Sequence, residues 1–184
     1  MKTLQIAIIV GSLRKESINR QLANAIVCMA TTNVSFHFVE IGDLPLYNQD
    51  EDDHQSNSVL RMKSEIENSD GVLFVTPEYN RSIPGVLKNA LDHGSRPYGQ
   101  NSWDKKPAAI IGISPSPVGT ALAQQHLRGV LATLNMPTLC QPEMFIQMKE
   151  GFFDKSGNIS EASEKFIERW IAVMLEWMSL NQHP

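Results

Sequence analysis

The chain has 184 residues, 42% of them apolar and 20% charged, with 16 Lys+Arg against 20 Asp+Glu for a formal net charge of −4. That length and composition fit one folded domain with a substantial core and are wrong for a disordered chain. No basic run exceeds Lys105-Lys106, so there is no electrostatic footprint for nucleic acid, and no apolar stretch approaches the roughly 18 residues of a membrane span.

Leu4–Val10 is nearly all apolar, the pattern of a central parallel strand buried on both faces. It is short, lacks the small-residue cleavage site of a signal peptide and runs directly into Gly11-Ser12-Leu13-Arg14-Lys15. A strand and a cytoplasmic protein are therefore expected. A helix is expected from about Ser17, with Leu22, Ala23, Ile26, Val27 and Ala30 on one face. Ser35–Ile41 alternates as an edge strand does, and a polar loop, Gly42–Gln55, leads to a helix at Ser56–Ser69. Gly71–Thr76 reads as strand three. Pro84–His93 reads as a short helix with its proline just inside the start, where a missing N–H costs nothing.

Pro107–Ser114 gives strand four, and Leu127, Val130, Leu131 and Leu134 stripe the helix after it. Strand five is placed at Thr138–Phe145, and Ser160–Leu180 makes the last helix. That helix carries two apolar stripes, Phe166/Trp170/Val173/Trp177 and Ile167/Ile171/Met174/Met178. One stripe suffices to cover a sheet, so the second suggests a subunit interface or a helix sunk under a long loop, the former being favoured. Alternating β and α units imply a single α/β domain over residues 1–184. The expected architecture is a flavodoxin-like three-layer sandwich with a five-stranded parallel sheet of order 2-1-3-4-5.

Cys28 and Cys140 form no CxxC pair and are expected as free thiols. His37, His54, His93, His126 and His183 show no ligand spacing, so no metal site is expected. In open parallel sheets ligands bind at the carboxyl ends of the strands, near the reversal of strand order. Here that selects the loops Gly11–Ser17, Pro77–Ser82 and Pro115–Gly119. The first is neither a Walker A loop nor a GxGxxG fingerprint. It still has the parts of a phosphate cradle: hydroxyls of Ser12 and Ser17, the Asn19 amide, the Arg14 fork and the open N–H groups of a helix start. The alternative is that Ser17 only caps the helix and Arg14 is a solvated surface charge.

The second loop and the helix after it read Thr76-Pro77-Glu78-Tyr79-Asn80-Arg81-Ser82-Ile83-Pro84-Gly85-Val86-Leu87-Lys88-Asn89-Ala90-Leu91-Asp92-His93-Gly94-Ser95-Arg96. With the first loop, this resembles the NAD(P)H-dependent FMN reductase family of flavoproteins, which includes bacterial chromate and quinone reductases. Its hallmarks are GS-[LS]-R-x-x-S-x-N and PEYN-x-x-x-PG-x-LKNA-x-D-x-x-SR, present here in order. The resemblance implies FMN, with its phosphate on Ser12, Arg14, Ser17 and Asn19. It implies a flavin ring along Pro77, Glu78, Tyr79 and Asn80, and further contacts from Ser116 and Gly119. It also implies NAD(P)H as hydride donor and a small-molecule acceptor (a quinone, chromate, an azo or nitro compound, or free flavin).

The third loop departs from the family's S-x-G-x-x-G-G. Ser116 and Thr120 stand at the usual glycine positions, and their side chains are expected to narrow the approach to the ring. Asn89, Asp92 and Arg96 are expected to pair along one helix face without doing chemistry. Family members form homodimers or homotetramers, and the loop Asp43–Asn48 also resembles theirs and is expected near a partner's flavin. No acid–base dyad is needed and no catalytic side chain is named. The rival readings are a flavin reductase that treats FMN as a loosely bound substrate, a flavodoxin-type electron carrier, and a nucleotide-processing enzyme in which Glu78 would be the only candidate carboxylate.

Overall fold

A computed structural model describes residues 3–30 and 33–182. Its parallel sheet has the order β2-β1-β3-β4-β5, formed by β1 (Leu4–Val10), β2 (Val34–Phe38), β3 (Gly71–Val75), β4 (Ala108–Ser114) and β5 (Phe145–Gln147). The helices are α1 (Ile18–Met29), α2 (Asn57–Glu67), α3 (Gly85–Gly94), α4 (Ala121–Thr133) and α5 (Glu161–Leu180). The expected sheet order and three layers are both present. His183 and both chain ends lie outside the described residues.

The two-residue period of a strand divides each central strand between two cores. Ile6 and Ile8 of β1, Leu73 and Val75 of β3, and Ile111 and Ile113 of β4 pack with Leu22 and Ile26 of α1 and Ile171 and Met174 of α5. Their alternates Ala7, Ile9, Val72, Phe74 and Ile110 pack with Met62 of α2, Leu87 and Leu91 of α3 and Leu127 and Leu131 of α4. Each such buried Leu, Ile or Phe contributes about 1.5–3 kcal/mol relative to exposure, which is why these strands read as unbroken apolar runs.

Four elements differ from the sequence reading. The edge strand ends at Phe38 rather than Ile41, although the Val39 N–H still donates to the Ile8 carbonyl at 2.9 Å. The loop before α2 contains a 3-10 helix, Gln49–His54, capped by Asn48 and opening with Asp50, Glu51 and Asp52, charges that suit a helix N-terminus. Pro84 is the N-cap of α3 rather than its first helical residue.

Strand five is not the run Thr138–Phe145. Thr138 makes only an isolated bridge to Ala108; the chain then leaves the sheet through Pro142, which has no N–H to donate, and β5 pairs with β4 only from Phe145. The two stripes of α5 converge on one core of this same chain. Ile167, Trp170, Ile171, Met174 and Met178 are buried, with Val173 and Trp177 packed beside them, leaving Phe166 exposed. The helix's apolar girth is thus largely covered from within the chain, closer to the sunk-helix reading.

Candidate functional site

The loop after β1 leaves the sheet with the Gly11 N–H still donating to the Val75 carbonyl at 2.9 Å. Ser12 is buried and its hydroxyl accepts the Arg14 N–H at 3.4 Å. Ser17 is the N-cap of α1, its side chain accepting from the Arg20 N–H at 3.2 Å. The Ile18 and Asn19 N–H groups of that first turn have no intrahelical acceptor. The Arg14 side chain is exposed and, among the described residues, makes no hydrogen bond or ion pair. Asn19 is spent elsewhere: it is buried, donates to the Ile113 carbonyl at 2.9 Å and accepts the Ile113 N–H at 3.1 Å.

The loop after β3 is held by hydrogen bonds at both ends. The Thr76 N–H donates to the Ile111 carbonyl at 3.0 Å and its hydroxyl to the Pro77 carbonyl at 2.8 Å. Tyr79 and Ser82 exchange both backbone hydrogen bonds, at 2.9 and 3.0 Å. Asn80 and Arg81 between them have φ of +51° and +67°, the double left-handed geometry of a type I′ turn. Tyr79 stands 44% exposed on this turn, offering an aromatic face to solvent. Glu78 points across to α4, one carboxylate oxygen accepting from the N–H groups of Leu122 and Ala123 at 2.9 and 3.1 Å. A carboxylate held in this way is a poor candidate for the acid–base role that a nucleotide-processing enzyme would need.

The loop after β4 closes on itself. The Ser114 hydroxyl donates to the Gly119 carbonyl at 2.6 Å, and the Gly119 N–H to the Ser116 carbonyl at 2.9 Å. Gly119 has φ +62°, and a Cβ there would lie 2.8 Å from the Phe145 carbonyl carbon. Ser116 is exposed, as expected for a rim residue. Thr120 corrects the expectation: it is fully buried, its hydroxyl accepting from Gln124 Nε2 at 2.9 Å, so it cannot narrow the rim. The pairing expected around α3 also differs. Asp92 binds Lys88 at 2.7 Å rather than Arg96, and Asn89 reaches out to Pro45 and Tyr47.

Several positions escaped the sequence reading. Gln124 also donates to the Met144 carbonyl at 2.7 Å, tying the start of β5 to α4; its polar side chain on the stripe of Leu127 and Leu131 was the available signal. His126 Nδ1 lies 3.0 Å from the Ser82 hydroxyl. Lys63, buried under the loop after α3, donates to the carbonyls of Arg96 and Gln100, and burial lowers its pKa despite the Glu67 and Asp52 charges nearby. Neither His126 nor Lys63 carries a local sequence signature.

A doubly wound sheet whose first, third and fourth βα loops converge, with free cationic and N–H donors on the first and a rigid aromatic platform on the third, defines a flavodoxin-like flavoprotein. The model of the NADPH-dependent FMN reductase family matches residues 4–151, and the chain belongs to that family. It is 51% identical over 176 residues to a 2-hydroxy-1,4-benzoquinone reductase of Burkholderia sp, covering 95% of this chain and 96% of that protein. It is 44% identical over 178 residues to a quinone reductase of Pseudomonas putida, covering 96% of each. The solved flavoenzyme NAD(P)H:(acceptor) oxidoreductase of Paracoccus denitrificans is similar with a TM-score of 0.93 and 42% identity, over 98% of this chain and 100% of that one. The protein is an FMN-dependent NAD(P)H oxidoreductase. Among the described residues no helix is long and apolar enough to cross a membrane.

Proposed function

We propose that the protein reduces small quinones with electrons from NAD(P)H, at a site built from the three loops. The observation that carries the assignment is the Arg14 guanidinium, unpaired among the described residues, beside the open first turn of α1, a donor set matched to a doubly charged phosphate. Ser12 and Ser17 hydroxyls complete that cradle, with Asn19 positioning it through Ile113. Pro77, Glu78, Tyr79 and Asn80 form the platform for the ring, and Ser116 and Gly119 border its other end. FMN, when bound, supplies the chemistry of accepting hydride and passing electrons on. The side chains hold and orient the reactants, and none acts as an acid or base.

The quinone acceptor class is supported by the names of the relatives in Burkholderia and Pseudomonas putida. We read residues 1–184 as one FMN-binding domain in a cytoplasmic homodimer or homotetramer. Two free, exposed cysteines suit a reducing compartment. Leu46 and Tyr98, 88% and 94% exposed, suit burial against another copy.

The test is an absorbance spectrum of the purified protein, with and without added FMN, followed by NAD(P)H and then 2-hydroxy-1,4-benzoquinone. Bleaching by NAD(P)H and re-oxidation by the quinone is the expected result. Oxidation of NAD(P)H only in the presence of excess free FMN would make the flavin a substrate. A flavin that neither nicotinamide reduces would sink the assignment.

A further inference from the structure

Helix α4 begins without a cap of its own. Thr120, at its N-cap position, makes no side-chain cap bond, because it is buried and its hydroxyl accepts from Gln124. The orphan N–H groups of such a first turn need an acceptor. Here the acceptor comes from 44 residues away: a single carboxylate oxygen of Glu78 takes the N–H groups of Leu122 and Ala123. Glu78 cannot swing freely to do this. Pro77 is buried before it, and the closed Tyr79–Ser82 turn follows it. The backbone on both sides is fixed, so the bond transmits position from loop to helix.

Resting on the flavin site proposed above, we propose that Glu78 is the positioning residue of this site: its carboxylate clamps the ring platform to the start of α4 and sets the gap in which the flavin ring lies. The clamp has two consequences. It fixes the distance between the loop after β3 and the loop after β4, which leads directly into α4. It also places a full negative charge on a helix end that carries roughly half a positive one. The reduced ring is more negative than the oxidised ring, and this charge therefore disfavours it. The two consequences separate by substitution. Glu78→Gln keeps an oxygen that accepts both N–H groups and removes the charge; Glu78→Ala removes both.

The experiment uses full-length apoprotein and FMN. Hydrogen exchange at Leu122 and Ala123 reports the clamp, FMN titration the gap, and the midpoint potential of the reconstituted protein the charge. In Glu78→Gln, exchange at the two amides and FMN dissociation rise less than in Glu78→Ala, because a neutral acceptor remains. Its potential becomes more positive, with reduced over oxidised FMN favoured about fivefold, or about 20 mV for a two-electron couple. In Glu78→Ala both amides exchange faster and FMN dissociation rises by about fivefold or more. A lower melting temperature with unchanged FMN affinity and unchanged potential in both variants would make Glu78 only a helix cap and overturn the proposal. Should Glu78→Ala fail to fold, the potential of Glu78→Gln decides alone, and a value equal to the unsubstituted protein's overturns it. Failure of the unsubstituted apoprotein to bind FMN counts instead against the flavin site.

Discussion

Asn19 and Ile113, 94 positions apart, are joined by two hydrogen bonds through one side chain: the amide donates to the Ile113 carbonyl at 2.9 Å and its oxygen accepts the Ile113 N–H at 3.1 Å. All of these atoms are buried, so the pair holds the start of α1 against the end of β4 and sets two of the three loops relative to each other. Asn19→Ala leaves a buried N–H and a buried carbonyl without partners, each at about 1–3 kcal/mol. The expected loss is about 2–4 kcal/mol in chemical denaturation, accompanied by weaker FMN binding. An unchanged denaturation midpoint would remove Asn19 from its positioning role. Asn19→Asp places a buried carboxylate oxygen against the Ile113 carbonyl and should destabilise at neutral pH at least as much as Asn19→Ala.

Arg14 and Ser17 share a loop and should differ in their effect on the apoprotein. Arg14 is exposed and makes no bond within the described residues, so Arg14→Ala should leave the melting temperature of the apoprotein unchanged. It should weaken FMN binding by roughly 1.5–3 kcal/mol, the range for a charge-assisted bond. Ser17 caps α1, and Ser17→Ala, unlike Arg14→Ala, should cost about 1 kcal/mol of apoprotein stability, besides weakening FMN binding through the lost phosphate contact. Equal FMN dissociation constants for Arg14→Ala and the unsubstituted protein would falsify the phosphate assignment.

Gly119 combines two demands that no other residue meets. Its φ is +62°, and an added Cβ would sit 2.8 and 2.9 Å from backbone atoms of Phe145 and Ile146, neither of which can yield as a flexible side chain does. The left-handed conformation alone costs an L-residue about 1–2 kcal/mol, and the clash displaces either β5 or the loop. Gly119→Ala should therefore lower the melting temperature and weaken FMN binding together. Thermal unfolding of the apoprotein with FMN titration of the same sample checks both.

What the sequence reveals of this fold follows from which contacts are local. β1, β3 and β4 are buried on both faces, so Leu4–Val10, Gly71–Val75 and Ala108–Ser114 appear as apolar runs. β5 is hidden because it is only three residues long and the mixed stretch before it contains Pro142, with strand pairing starting only at Phe145. Ser17 and Ser56 announce their helices as local caps, whereas α4 is capped from Glu78, and no window of sequence contains both partners. Thr120 reads as a rim side chain because its neighbours form the rim, yet Gln124 draws it into the core. The residue types of the proposed site come from the two long motifs, while the bonds that fix its loops, Asn19 to Ile113 and Glu78 to α4, join partners too far apart for any motif to hold both.

Tyr47 gives a prediction that depends on pH. Its ring packs edge-on against His93 at 5.3 Å between centroids, and its buried hydroxyl faces the Asp52 carboxylate. Burial, followed by the charge of Asp52, raises its pKa above the ordinary value. The unfolded chain therefore releases the phenolic proton at about pH 10, before the folded protein does. Between those two values the unfolded state binds fewer protons, so this group's contribution to stability falls as pH rises through the window. Lys63, whose pKa burial lowers, acts with the opposite sign, and comparing two proteins at the same pH cancels it. Tyr47→Phe keeps the ring contact and removes the hydroxyl that faces Asp52. Its stability at pH 7 should be within about 1 kcal/mol of the unsubstituted protein. Above pH 10 it should lose stability less steeply, as read from urea midpoints across an alkaline series. Parallel alkaline slopes for the two proteins would show that the Tyr47 phenol titrates alike in the folded and unfolded states.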